Sequence, residues 1–157
     1  MTTHLQGFFS RMAWPLLRAG SLLVLIVFQA CVVAANAAPL RLADEKSVRG
    51  VVEGQLAAFA KDDADQAFSY AAPNVREALG SASRFMLMVR RDYPVVYRPA
   101  SVAFLKPEGA GDEVMQRVQM TDASGNSWLA MYRLQRQKNK SWRISGCVVV
   151  ENKGRMA

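Results

Sequence analysis

The sequence predicts an α+β domain: N-terminal helices packed on one face of a curved antiparallel sheet, preceded by a signal helix. Three observations predict it. Up to Val89 the apolar residues recur at three- and four-residue spacing, and from Ala100 onward they alternate at two. The alternating stretches are joined by short polar turns, which describes an antiparallel meander. Each sets apolar against polar residues, as a sheet covered on one face requires.

The first element is the export signal. Met1 to Ala37 contain Arg11 and Arg18 and no acidic residue. The stretch from Ala19 to Ala35, AGSLLVLIVFQACVVAA, is apolar except at Gly20, Ser21 and Gln29. Ala35-Asn36-Ala37 then places small residues where a signal peptidase reads. A basic front, an apolar middle and an A-x-A end make a secretory signal, with cleavage expected between Ala37 and Ala38. The run also approaches the length of a membrane span, so a retained inner-membrane anchor is the alternative. Both arginines precede it and would stay cytoplasmic, which puts the domain in the periplasm or outside the cell either way. Cys31 fits lipidation poorly, because Phe28 and Gln29 stand where smaller residues are needed; it reads as part of the signal's apolar core.

Cleavage leaves a lead-in at 38–46, one domain at 47–151 and a flexible tail at 152–157, a size that folds without a metal or disulfide. Two of the 20 basic residues leave with the signal and none of the 13 acids, so the mature chain carries +5. The only histidine, His4, leaves too, which removes His triads, His bases and His metal ligands. Cys147 is the sole remaining cysteine, so no internal disulfide and no ordinary zinc site can form. Its small apolar neighbours mark it as a core thiol. Asp62-Asp63-Ala64-Asp65 lacks the glycine and terminal glutamate of a calcium loop and reads as a helix end followed by a new N-cap. No metal and no cofactor are expected.

Helix one runs from about Lys46 to Lys61, with Val48, Val51, Val52, Leu56 and Phe59 as its apolar stripe. Arg49, Glu53 and Gln55 fall beside or opposite that stripe. Asp63 or Asp65 caps a second helix carrying Ala67, Phe68 and Ala71, which Pro73 ends. Asn74 to Leu79 is a further turn or two, stopped by Gly80. Ser81 or Ser83 caps a third helix, Arg84 to Arg91, with Phe85, Met88 and Val89 inward. Pro94 and Pro99 bracket an extended segment, Val95 to Arg98. Ser101 to Lys106 is a strand and Pro107 to Asp112 a turn. Glu113 to Thr121 sets Val114, Val118 and Met120 against Met115, Arg117 and Gln119. Ser127 to Gln137 sets Trp128, Ala130, Tyr132 and Leu134 against Leu129, Met131, Arg133 and Gln135. Trp142 to Glu151 sets Trp142, Ile144, Gly146, Val148 and Val150 against Arg143, Ser145, Cys147 and Val149.

Three stretches carry a resemblance: Phe85 to Pro99 (FMLMVRRDYPVVYRP), Thr121 to Tyr132 (TDASGNSWLAMY) and Ser141 to Cys147 (SWRISGC). Together they resemble the bacterial family of domain of unknown function 4864, over about Val48 to Glu151. The resemblance implies a cystatin-like cone similar to nuclear transport factor 2 and the SnoaL-type proteins, with a pocket between sheet and helices. It implies no activity. The last turn departs from the family's usual Asp-Gly: here it is Asn139-Lys140, and lysine suits a type I′ turn poorly, so a longer loop is expected.

For such a pocket the candidate ligand-binding residues are Tyr93, Tyr97, Arg98, Arg117, Trp128 and Tyr132, with Tyr70 and Arg133 beyond them. Core packing is the competing role for the aromatics. Arg90, Arg91, Asp92, Tyr93 and Arg98 form the densest polar group: an anion site, or a helix end favoured by its dipole with Asp92 paired to Arg98. A general acid or base would be Glu53 or Asp92 with a tyrosine. Arg133, Arg136, Lys138, Lys140 and Arg143 concentrate charge at one hairpin, joined by Lys153 and Arg155. They suit an anionic envelope surface or simply a solvated edge. Export argues against nucleic acid as a partner, and a homodimer through the sheet is implied only by analogy. Three functions follow: a non-enzymatic binding or interaction module, a cofactor-free isomerase- or hydrolase-type enzyme, and an envelope-docking protein.

Overall fold

The computed structural model describes residues 40–153. The expected cleavage site at Ala37 and Ala38, Cys31 and Arg155 lie outside the described residues. No helix among the described residues is long and apolar enough to cross a membrane.

Helix α1 spans Leu42–Ala60. It starts inside the expected lead-in, because Asp44 and Glu45 favour a first helical turn. Asp44 is also held there, 3.0 Å from Arg41 Nε and 2.9 Å from Arg136 Nη2 on a distant strand. Val48, Val52, Ala58 and Phe59 are buried as the stripe requires. Gln55 is buried with them, not beside them, and its Nε2 donates to Ala67 O at 3.2 Å. The helix closes by two bonds, Asp63 N to Ala58 O and Asp62 N to Phe59 O. In this Schellman closure Asp62 takes the left-handed conformation, φ 57°, usually given to glycine.

Helix α2, Ala64–Ser69, is capped by Asp63, whose Oδ1 accepts from Gln66 N. It lies so close to α1 that a Cβ on Gly54 would overlap the Tyr70 ring. Pro73 opens α3, Pro73–Leu79, instead of ending α2, since its fixed φ suits a first turn. Gly80, φ 76°, stops α3. Ser81 caps α4, Ala82–Asp92. The segment after Pro94 is a helical turn, α5, Pro94–Tyr97, not extended chain. The pre-proline restriction acts on Tyr93 and Arg98, both near φ −140°, and leaves the residues between them free.

Strands β1 (Ser101–Phe104), β2 (Glu108–Ala110), β3 (Glu113–Thr121), β4 (Ser127–Arg136) and β5 (Trp142–Glu151) form one antiparallel sheet in the order β1-β3-β4-β5. The α+β expectation therefore holds. The predicted first strand ends early, and the predicted turn after it contains β2. Both pair with the same edge of β3, separated by Leu105-Lys106-Pro107. Gln116 of β3 is fully buried at this break, its Nε2 donating to Leu105 O at 2.6 Å and Arg117 O at 2.9 Å.

The two long hairpins share one turn design. Asp122 N bonds Asn126 O and Gly125 N bonds Asp122 O; Gln137 N bonds Ser141 O and Lys140 N bonds Gln137 O. Each is a three-residue loop with a left-handed residue, Gly125 at φ 84° and Lys140 at φ 68°. The longer loop expected around Lys140 is thus present, with a lysine where glycine is free of strain. Lys140→Gly is expected to raise the unfolding free energy by about 1 kcal/mol. A thermal melt unchanged by that substitution would refute the account.

Strand β5 departs from simple alternation. Leu134 pairs with Ile144, but Arg133 pairs with Gly146, so Ser145 is an extra, bulged residue. Beyond it the two faces exchange. Cys147 and Val149 pack toward the helices, while Val148 and Val150 are 57% and 42% exposed. The core lies between the concave sheet face, led by Val114, Val118, Met120, Tyr132 and Leu134, and α1, α4 and α5.

Candidate functional site

Between the sheet and the helices lies a cavity of about 260 Å³. Phe59 and Gln55 of α1, Phe85, Met88 and Val89 of α4, and Val96 of α5 line one side. Tyr132 of β4, with Ile144 and Cys147 of β5, lines the other. Phe59 and Phe85 pack with their rings tilted at 42° and 5.7 Å between centroids, which fixes the helix side. Cys147 reaches the cavity only because the Ser145 bulge turns it inward.

Three polar groups stand in this apolar wall. Gln55 commits its Nε2 to Ala67 O and keeps its Oε1 as an acceptor. The Tyr132 hydroxyl is buried and, among the described residues, has no oxygen or nitrogen partner; the polar group facing it is the Cys147 thiol, a weak donor and acceptor. Cys147 is its cross-strand neighbour. Burial pushes the Tyr132 phenol well above its usual range and the Cys147 thiol up to about 12. Both are neutral near pH 7, so the cavity carries no charge.

A second space of about 420 Å³ opens beside it as a surface cleft. Trp128, Val149, Pro94, Ser124 and Arg98 contribute to its walls. Tyr93 lines both spaces. Of the residues singled out in the sequence, the structure therefore brings Tyr93 and Tyr132 to the cavity, and Asp92, Tyr93, Arg98 and Trp128 to the cleft.

The others sit elsewhere. Tyr97 is packed beneath the guanidiniums of Arg98 and Arg90, at 4.4 Å and 5.1 Å from its ring centroid, and its hydroxyl bonds Asp62 Oδ1. Arg117 pairs with Glu108 on the outer side of the sheet. Tyr70 covers Gly54 and accepts from Gln66 Nε2. Glu53 lies outside the cavity, exposed and paired with Arg49 at 2.7 Å. Asp92 does not pair with Arg98: it takes both nitrogens of Arg91, at 2.7 and 2.8 Å, which holds its carboxyl below the usual range. Arg98 instead bonds Asp62 Oδ2 at 2.9 Å and Phe59 O at 2.9 Å. The strained Asp62 also takes Arg90 at 2.7 Å, so one carboxylate ties the end of α1 to α4 and α5. Arg136 is likewise drawn out of the basic hairpin, 13% exposed against Asp44 and 4.6 Å from the Trp142 ring centroid.

Asp122 closes the cleft's loop side. Its carboxylate accepts from Trp128 Nε1 at 2.9 Å, from the Asn126 side chain at 3.0 Å and from the Ser124 and Asn126 backbone at 2.9 Å. These bonds, Trp128 foremost, lower its pKa from 3.8 to about 2. Tyr97 and Arg90 lower Asp62, and Arg136 lowers Asp44. A depressed folded pKa adds stability above the unfolded value and loses it as pH falls through the folded one. The melting temperature should therefore fall between pH 3.8 and about 2, less steeply in Asp122→Asn. Identical pH profiles for the two proteins would contradict this.

Sequence reasoning missed Gln55, Asp62 and Gln116. The first could have been found from its three-residue spacing after Val52 on the buried stripe. Against families, the chain matches the Domain of unknown function (DUF4864) over residues 41–157. No curated protein matches it. Among solved structures it is similar to an NTF-2 like protein of unknown function from Silicibacter pomeroyi DSS-3, at 18% identity, 68% of this chain, 93% of that chain and a TM-score of 0.48. The family match covers every helix and strand described above, so the chain belongs to the DUF4864 family.

Proposed function

We propose that the protein is an exported, non-enzymatic binding domain whose cavity holds a small uncharged molecule. The observation that carries this is the Tyr132 hydroxyl, buried in the cavity wall with no partner among the described residues but the weak Cys147 thiol. An unpaired buried hydroxyl costs about 1–3 kcal/mol, and a ligand oxygen accepting from it would remove that cost. The cavity's lack of charge selects the ligand class, since an ion would enter it uncompensated. It also argues against catalysis there: a phenol and a thiol both pushed upward are poor bases and nucleophiles near neutrality. Glu53 and Asp92, the carboxylates considered for an enzyme, do not line the cavity. Export rests on the basic front, apolar run and A-x-A end of the N-terminus.

The test is titration of the full chain with 1-hexanol and with hexanoate, followed by NMR. The alcohol should bind and the carboxylate should not. Tyr132→Phe should weaken the alcohol about five- to tenfold and make the ligand-free protein about 1 kcal/mol more stable. An alcohol that fails to bind, or binds equally to Tyr132→Phe, would overturn the reading.

A further inference from the structure

The cavity and the cleft lie one after the other along the helix-covered face of the sheet. On β4 the inward residues run Tyr132, Ala130, Trp128; the first lines the cavity and the last the cleft. On β5 the neighbours run Cys147 then Val149, with the same assignment. From the helix side a single residue, Tyr93, belongs to both linings.

Tyr93 stands between the two spaces. It sits at the junction of α4 and α5, serving as the C-cap of one and the N-cap of the other. Its backbone N–H bonds Val89 O and its carbonyl accepts from Val96 and Tyr97, so the backbone is held. Its side chain is half-buried, and its hydroxyl makes no hydrogen bond to another described residue. Turning the ring about its own side-chain bonds therefore breaks no polar contact. It would join an uncharged, apolar inner chamber to an outer one walled by Trp128, Val149 and Pro94, whose charged lining residues are already engaged: Asp92 by Arg91, Arg98 by Asp62, and Asp122 by Trp128 and Asn126.

We infer that the cleft is an outer subsite of the same binding site, reached past Tyr93, and that the site takes a linear uncharged chain with an oxygen at its inner end. The inference rests on the cavity reading above. The inner oxygen answers the unpaired Tyr132 hydroxyl. The chain answers the geometry: from Tyr132 to Trp128 is a four-residue step, about 13 Å of strand, comparable with an extended chain of roughly ten carbons. A rounded ligand of the cavity's volume would leave the cleft unused.

The experiment is a series of 1-alkanols, hexanol, octanol and decanol, titrated into the full chain and into two variants. Ala123→Trp puts a bulky ring on an exposed residue of the cleft, away from the cavity. Tyr93→Ala removes the ring between the two spaces. In the unmodified protein affinity should rise about three- to fourfold per added methylene through decanol. Ala123→Trp should keep the hexanol affinity and lose the gain for decanol. Tyr93→Ala should keep the gain or enlarge it, and it reports on the outer subsite even if Ala123→Trp misfolds. Hexanol binding with no gain for longer chains in either the unmodified protein or Tyr93→Ala overturns the outer subsite alone. A gain untouched in folded Ala123→Trp overturns it too. Failure of hexanol itself to bind overturns both this and the cavity reading.

Discussion

Phe59→Ala is expected to lower the unfolding free energy by about 3–5 kcal/mol. Phe59 is 1% exposed, near the end of α1, with its ring against Phe85 and the cavity behind it. Truncation removes the ring's burial and adds its volume to a space that is already partly empty, so the site has little to collapse onto. Because a domain of this size has about 5–15 kcal/mol in total, one substitution removes a large share. A urea titration should show a lower midpoint with an unchanged slope. A loss below 1 kcal/mol would mean that α4 closes over the gap, and that the helix side of the cavity is softer than its packing indicates.

Gln116→Leu is the second large effect, expected to cost about 1–3 kcal/mol. Leucine replaces the amide with little change of bulk; it removes the two Nε2 bonds but also the Oε1, which is buried without a partner among the described residues, so the cost lies at the lower end of that range. The Gln116 amide reaches Leu105 O and Arg117 O at the break between β1 and β2. Arg117 O also accepts from Leu105 N, but Leu105 O has only the glutamine. Its loss leaves a carbonyl orphaned at the sheet edge. Hydrogen exchange should then speed up in β1 and β2 while β4 stays protected. Uniform exchange across the sheet would show that the amide does not act locally.

The parts of this fold visible in the sequence are those written in short-range chemistry. Asp63 and Ser81 cap helices, Gly80 ends one, and β3 keeps the limits that its alternation implies. The parts that were not visible depend on partners far along the chain. Arg136 counts as a surface charge until Asp44 is placed beside it. Gln116 breaks the apolar pattern of β3 and makes sense only once Leu105 faces it. Asp62 passes for a helix-end acid until α5 brings Arg98 and Tyr97 to it. Of the site, the sequence held Tyr93, Trp128 and Tyr132 as aromatics without a geometry. The cavity itself is a property of how β5 is threaded, and Gly146 within a strand pattern was the one local hint of the bulge.

Ser145 therefore matters by being left out of the pairing more than by its chemistry. Were it paired regularly with Arg133 instead, every side chain beyond it would change sides: Gly146 would face Tyr132 where Cys147 now stands, Val148 would take the place of Val149, and the thiol would move to solvent. The wall opposite Tyr132 would then offer a bare glycine in place of the thiol, without any substitution having occurred.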